Sequence, residues 1–390
     1  LADLMDFRVR DVTRDDIDRI LQVRTRSFGP GSSEGAWFEH SIQQTIDGRW
    51  LAVVDPDNQL VASARAWGFQ QVWGGRHLPM GGVAGVVVDP RVRGRGVASL
   101  MMRALLTRMH ELGDVVSCLY ASVPALYRVV GYEAGGGLPR MTLSTNDFHR
   151  LPRADGTIRE ATVDDADVIE RLVREHQARL RQSGPKAPPA ATWAVQLADP
   201  EMAHYLAVEN GRPVGVVAYG LKDGVLTVET VAGRDGRVLA DLWAVVGSGS
   251  STAETIEAYV DPRDPILLRV GSNPATDRKD WQWMARVVDL PNAVAARGFS
   301  AYVNATATIT VTDDDLAHNT GDWRISIADG AGVVERSDQP GLRVGARGLA
   351  ALWCGWSVQR LRDAGLAEGD ADEAALDAIF ACAPFMSEYF

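Results

Sequence analysis

Apolar and polar positions alternate through SAYVNATATITVTD, setting Val303, Ala305, Ala307, Ile309 and Val311 on one face and Asn304, Thr306, Thr308, Thr310 and Thr312 on the other. That period of two predicts a half-buried strand. Trp323, Ile325 and Ile327 repeat it. From about Gly345 to Leu366 and from Asp370 to Cys382 the apolar spacing predicts helices. Earlier, GGVAGVVVDP is an apolar run stopped at Asp89-Pro90, because proline brings no N–H to a central ladder. Val97, Met101, Leu105 and Met109 follow at near-helical spacing, so a helix is predicted to start at the glycines of RVRGRG.

The pattern also repeats along the chain. VRDVTRDDID (9–18) aligns with IREATVDDAD (158–167), sharing Arg, Thr and three Asp at one spacing. Each predicts a short strand, a Thr or Asp cap and an amphipathic helix. RWLAVVDPDNQLVASARA from Arg49 resembles HYLAVENGRPVGVVAYG from His204; both predict two strands around a polar turn, with Asn210-Gly211 a hairpin signal. Two matched segments in the same order point to duplication. Boundaries near 150, at HRLPRADG, and near 288, before DLPNAVAARG, give units 1–150, 151–288 and 289–390. RQSGPKAPPAAT (181–192) reads as a loop within the second unit.

At 390 residues, two or three domains are expected, and 46% hydrophobic with 23% charged residues fits a globular class. No apolar run reaches about 18 residues, and the first thirty residues hold no signal-peptide core, so a cytoplasmic location without membrane contact is expected. Cys118, Cys354 and Cys382 are odd in number and widely spaced, which suits core thiols better than disulfides or metal ligands. With 40 Lys+Arg against 51 Asp+Glu the net charge is −11, which disfavours nucleic acid and favours cationic small ligands.

The chemistry concentrates at Arg91-x-x-Gly94-x-Gly96. Backbone N–H groups freed by glycine, with the positive end of a helix dipole, suit a pyrophosphate, and Arg93 and Arg95 would neutralise further charge. The plain alternative is a basic surface turn. A dinucleotide-binding loop is excluded by Val97-Ala98-Ser99, where a third glycine is required. The loop resembles the R/Q-x-x-G-x-G/A motif of GNAT-type N-acetyltransferases. Tyr127 followed by Gly131-Tyr132, in LYASVPALYRVVGYEAGGG, is similar to the tyrosine motif of the same enzymes. Across its whole length the chain resembles the enhanced intracellular survival (Eis) family. That resemblance implies an α+β fold: two tandem GNAT-type acetyltransferase domains, the second degenerate, followed by a sterol-carrier-protein-like α/β domain. It also implies acetyl-CoA as cosubstrate, no metal, and a homo-hexamer acting on cationic amines such as aminoglycosides. In the second repeat GRDGRV matches Gly236 to Gly94 but puts Val238 where Gly96 stands, so its site is expected to be dead. Two departures from the family are Ala84-Gly85, in place of a bulky residue, and Ser122-Val123, in place of Ser-Glu.

Roles follow for individual residues. Val86 and Val88 would offer backbone N–H groups to the thioester carbonyl, and Arg91, Arg93, Gly94, Arg95, Gly96, Val97, Ala98 and Ser122 would hold the cosubstrate. Tyr127 would donate a proton to the leaving sulfur. The resemblance implies that the C-terminal carboxylate, here of Phe390 with Tyr389 and Glu388 beside it, takes the proton from the amine; a water relay is the alternative. Phe28, Trp37 and Phe38, in SFGPGSSEGAWFEH, would wall an acidic, aromatic amine pocket. Two other functions compete: protein-lysine acetylation through an open groove, and non-catalytic lipid or regulatory binding by the third unit.

Overall fold

The computed structural model describes residues 6–29, 36–151, 156–270 and 277–390. The first unit contains β1 (Arg8–Asp11), α1 (Ile17–Phe28), α2 (Ala36–Thr45), β2 (Trp50–Val54), β3 (Leu60–Trp73), β4 (Arg76–Val88), α3 (Val97–Glu111), β5 (Val116–Tyr120), α4 (Pro124–Arg128), β6 (Glu133–Ser144) and α5 (Thr145–His149). The second contains β7 (Thr157–Glu160), α6 (Ala166–Arg179), β8 (Lys186–Ala187), α7 (Ala190–Leu197), β9 (Met202–Glu209), β10 (Arg212–Lys222), β11 (Val225–Gly233), α8 (Gly236–Gly247), β12 (Thr255–Ala258) and β13 (Asp277–Val287).

The repeat is visible in geometry. Thr13 and Asp16 form a capping box at the start of the first unit's helix, and Thr162 and Asp165 form the same box in the second. Arg10 pairs with Asp16 at 2.7 Å and Arg159 with Asp165 at 2.6 Å, so the shared Arg, Thr and Asp of the two sequences do the same work twice.

Both units share one sheet, in the order β1-β2-β3-β4-β5-β13-β6-β12-β11-β10-β9-β7. β13 is the last strand of the second unit, yet it lies between β5 and β6, aligning Trp283 with Tyr120 on one side and with Gly136 on the other. β6 pairs in turn with β12. The two repeats are therefore joined through strands exchanged across their sequence boundary. The segment 181–192, read above as loop, holds β8, which pairs Lys186 and Ala187 with Gln71 and Gln70 of β3.

The third unit is α9 (Leu290–Ala296), β14 (Ala305–Thr312), β15 (Gly321–Ala328), β16 (Ala331–Arg336), β17 (Leu342–Gly345), α10 (Ala346–Trp353), α11 (Val358–Asp363), β18 (Ala367–Glu368) and α12 (Glu373–Phe380). Its sheet runs β16-β15-β14-β17-β18. The apolar faces of the two alternating strands are buried through Ile309 of β14 and Ile325 and Ile327 of β15, which cluster with Leu349, Leu352, Leu376 and Phe380. The single helix expected from 345 to 366 is broken at Gly355, whose φ of 83° no helix accepts and where a Cβ would stand 2.6 Å from Cys382 O. Among the described residues no helix is long and apolar enough to cross a membrane.

Candidate active site

β4 and β5 run parallel, and their ladder ends at Val83–Leu119. Just beyond it β4 carries one extra residue against β3: Ala84 faces Arg65, Val87 faces Ser63, and Gly85 takes φ 61°. A bulge of this kind bends its strand. β4 thus turns away from β5 and leaves the far edge of residues 84–88 without a strand partner among the described residues. Val86 and Val88 lie on that edge, as the sequence predicts.

The loop after β4 is built around Asp89. Its carboxylate accepts the Arg91 backbone N–H at 3.1 Å and forms ion pairs with Arg91 at 2.9 Å and Arg19 at 3.1 Å. The Arg91 hydrogen bond leads in holding this carboxyl down at about 2. Gly94 and Gly96 have φ of 77° and 80°, and Gly96 opens α3 with no side chain capping the helix. A Cβ at Gly94 would meet nothing within 4 Å. The start of α3 thus presents open space and uncapped N–H groups, including those of Val97 and Ala98, which suits a diphosphate. Of the three arginines, Arg91 is turned to Asp89, Arg93 donates to Ser27 Oγ at 3.1 Å, and Arg95 lies 4.9 Å from the Phe7 ring. The second unit differs at the equivalent place. Asp235 accepts hydrogen bonds from the N–H groups of Arg237 and Val238, both at 3.0 Å, and so fills the start of α8 with the chain's own carboxylate. That is a stronger obstacle to an anion than the side chain of Val238.

Tyr127 sits on α4 and is 7% exposed. Burial, with Tyr389 adding to it, pushes its hydroxyl up to about 12. Tyr132 behind it is tied to Ser117 by a 2.7 Å hydrogen bond and meets Tyr127 edge-on. Ser122 lines the same cleft from an exposed position.

The last residues of the sequence enter this cleft from the third unit. Met386 N–H donates to Gly137 O at 2.8 Å and Phe385 N–H to Ser183 O at 3.1 Å, so the tail is laid between β6 and the loop before β8. Tyr389 stacks on Tyr120 at 4.4 Å, and Tyr120 Oη donates to Glu388 O at 2.9 Å. The Phe390 ring meets Tyr120 at 5.4 Å and Phe69 at 5.5 Å. Trp37, Trp67 and Phe69 stack in turn, continuing the aromatic wall.

The resulting cleft of about 490 Å³ brings together Trp37, Phe38, Val86, Ser122, Tyr127, Tyr389 and Phe390, all named from the sequence. The Phe28 side chain lies outside the described residues. Glu388 does not face this cleft; it pairs with Lys186 at 2.9 Å and lines an adjoining cavity of about 380 Å³. The two cavities meet at Trp37 and Tyr389, which line both. The acidic pocket expected around the amine is also displaced. Among the described residues the main cleft is lined by Arg24 and Arg65 and by no Asp or Glu side chain, while Glu229 and Glu388 belong to the adjoining cavity. Glu229 stands on β11 of the second unit, which lines only the outer lobe, and Glu388 is turned to that lobe by its ion pair with Lys186 although Tyr389 and Phe390 after it enter the main cleft. Arg65 and Lys186 were missed; the signal for Arg65 was a single charge in the fourteen residues of β3. The ligand atoms of His110, Asp289 and His318 lie within 4.8 Å of one another, but none of these residues lines either cavity.

Residues 8–135 match the acetyltransferase (GNAT) domain family, and residues 290–387 match the sterol carrier protein domain family. The chain is 39% identical to a GCN5-related N-acetyltransferase from Kribbella flavida, covering 99% of this chain and 98% of that one with a TM-score of 0.93. It is 28% identical over 375 residues to an uncharacterized N-acetyltransferase of Streptomyces avermitilis, covering 89% of each chain. Eis1 from Mycobacterium abscessus shares the fold at a TM-score of 0.75 and 22% identity, over 98% of this chain and 100% of that one.

Proposed function

The chain belongs to the GCN5-related N-acetyltransferase family and is an acyltransferase; on that footing we propose that it acetylates a primary amine held between Tyr127 and Phe390. The observation that carries this reading is the parting of β4 from β5 after Val83, with the uncapped start of α3 at one end and Tyr127 at the other. Acetyl-CoA, which enzymes of this fold use, supplies an activated thioester. The unpaired edge at Val86 and Val88 offers N–H groups where negative charge develops on the acetyl oxygen. Gly94, Gly96, Val97 and Ala98 offer N–H groups to phosphate, with Arg91, Arg93 and Arg95 around them. Tyr127, held protonated by burial, supplies the proton that the sulfur needs on leaving. The proposed acceptor of the amine proton is the α-carboxylate that Phe390 carries in this sequence.

The finer reading is an Eis-type enzyme: a cytoplasmic, closed homo-hexamer acting on cationic amines of the aminoglycoside type. Its support is the outer lobe, where Glu229 stands among Trp37, Tyr259, Trp281 and Tyr389, a setting for a cation, while Glu388 in the same lobe is paired with Lys186. The lipid-carrier alternative loses support because the apolar face of the third unit's sheet is covered by the chain's own helices. Release of coenzyme A thiol over a panel of primary amines tests the function. Amine-dependent release is expected, and none with any amine would overturn it. Light scattering at the mass of one chain would overturn the hexamer.

A further inference from the structure

Acetyl transfer leaves Arg65 in the cleft without work. Arg65 lies within β3, opposite Trp50 of β2 and Ala84 of β4. Its guanidinium stands 5.1 Å from the Trp50 ring and 5.3 Å from the Trp67 ring. Nη1 donates to Ser41 Oγ at 2.8 Å, and Nε is buried with no partner among the described residues. Among the described residues no carboxylate forms an ion pair with Arg65. Burial above all, and then the nearby charge of Arg24, lower its pKa to about 10, so at neutral pH it is still a cation.

A largely buried cation with no counter-charge is unfavourable. It persists at a cleft wall when something that enters the cleft completes it. Its placement narrows what that is. A Cβ on Gly85 would lie 3.6 Å from Arg65 Nε, so the guanidinium sits directly beside the bulge that positions Val86. A group bound there is a few bonds from an amine aimed at the β4 edge. A guanidinium presents parallel N–H groups that match the two oxygens of a carboxylate.

Resting on the acetyltransferase reading above, we propose that the preferred acceptor is an amine that carries a carboxylate close to its nitrogen, an amino acid or a short peptide, with Arg65 holding the carboxylate. Trp37 and Phe38 on the same cleft favour an apolar side chain on that acceptor. In the step itself the amine nitrogen forms a bond to the acetyl carbon and the carbon–sulfur bond breaks. The sulfur takes a proton from Tyr127, the nitrogen gives one up to the acceptor at Phe390, and solvent exchange restores both groups. The substrate carboxylate is unchanged and contributes binding only. A polycation without an acid group would instead meet Arg24 and Arg65 at the point of transfer, so this acceptor replaces the aminoglycoside type named in the finer reading above.

The test uses matched acceptors, L-phenylalanine and L-leucine against their α-amides, with a 2-deoxystreptamine aminoglycoside as the purely cationic comparison. kcat/KM is read by thiol release for the unaltered protein, Arg65→Gln and Arg65→Lys, and acetyl-CoA affinity checks that each variant is folded. The acids are expected to exceed their amides by about tenfold or more, the worth of one charge-assisted pair. In Arg65→Gln the ratio falls to about one, and Arg65→Lys keeps part of it. Equal use of acid and amide, preference for the aminoglycoside, or a ratio that survives in Arg65→Gln would overturn the proposal. Calorimetry with N-acetyl-L-phenylalanine and its amide separates the two readings. Arg65-dependent binding of the acid alone supports this proposal even where no amine is acetylated, an outcome that would sink the acetyltransferase reading instead; binding that ignores Arg65 sinks this one.

Discussion

Gly82 of β4 leaves the space that the Phe390 ring fills: a Cβ at residue 82 would stand 2.9 Å from Phe390 Cε2. The glycine is thus a seat for the tail, inside the sheet that forms the floor of the cleft. Gly82→Val is expected to push Phe390 and Phe69 aside, lowering amine acetylation well before it affects acetyl-CoA binding at the far end of β4. Parallel measurement of turnover and cosubstrate affinity checks this, and equal loss of both would contradict it.

At Gly94 two substitutions separate strain from charge. Both alanine and glutamate have to adopt φ 77°, which costs about 1 kcal/mol for a residue with a Cβ. Gly94→Ala and Gly94→Glu are therefore expected to lower the melting temperature alike. Only Gly94→Glu also brings a carboxylate to the start of α3, as Asp235 does at α8, and it should weaken acetyl-CoA about tenfold or more. Isothermal titration of both variants reads the difference; equal affinities would remove the loop from the site.

Tyr127→Phe removes one buried hydroxyl and little volume. The expected result is a fall in kcat of about 10²- to 10⁴-fold with acetyl-CoA affinity retained, since the hydroxyl acts as the sulfur leaves. Steady-state kinetics with unchanged kcat would return Tyr127 to a packing role.

Local order made part of this legible in the sequence. The Gly94/Gly96 loop, Tyr127 and the Arg-Thr-Asp caps each depend on residues within about a turn of one another, so spacing alone exposes them. The strand exchange is different. β13 lies between β5 and β6 although more than 150 residues separate it from β5, and no local pattern encodes that pairing. Lys186 and Glu388 are about 200 positions apart, and their ion pair is what takes Glu388 out of the main cleft. Arg65 is not legible in the sequence because a lone charge in an apolar strand gains meaning only when its neighbours across the sheet are known.

Asp264 offers a test of the second unit's buried charge. Burial first, with Asp261 adding to it, raises its carboxyl to about 6, above the ordinary value of about 3.9. The folded chain therefore binds more protons than the unfolded chain between about pH 4 and pH 6. Stability linked to this group is full below about pH 4 and is lost as pH rises through 6. Asp264→Asn keeps an acceptor for the Ile266 N–H and has no charge to lose. Its melting temperature relative to the unaltered chain should rise between pH 4 and pH 7.5, and a difference independent of pH would contradict the assignment.

The central claim is that amine acetylation takes place in a cleft completed by the tail that ends in Phe390. Appending four residues after Phe390 tests it most directly, because the addition converts its carboxylate to an amide and must find room beside Tyr120, Phe69 and Tyr127. Thiol release with saturating amine is measured beside acetyl-CoA affinity. The account predicts that release collapses toward the amine-free background while affinity for acetyl-CoA changes little. Full amine-dependent release from the extended chain would contradict it.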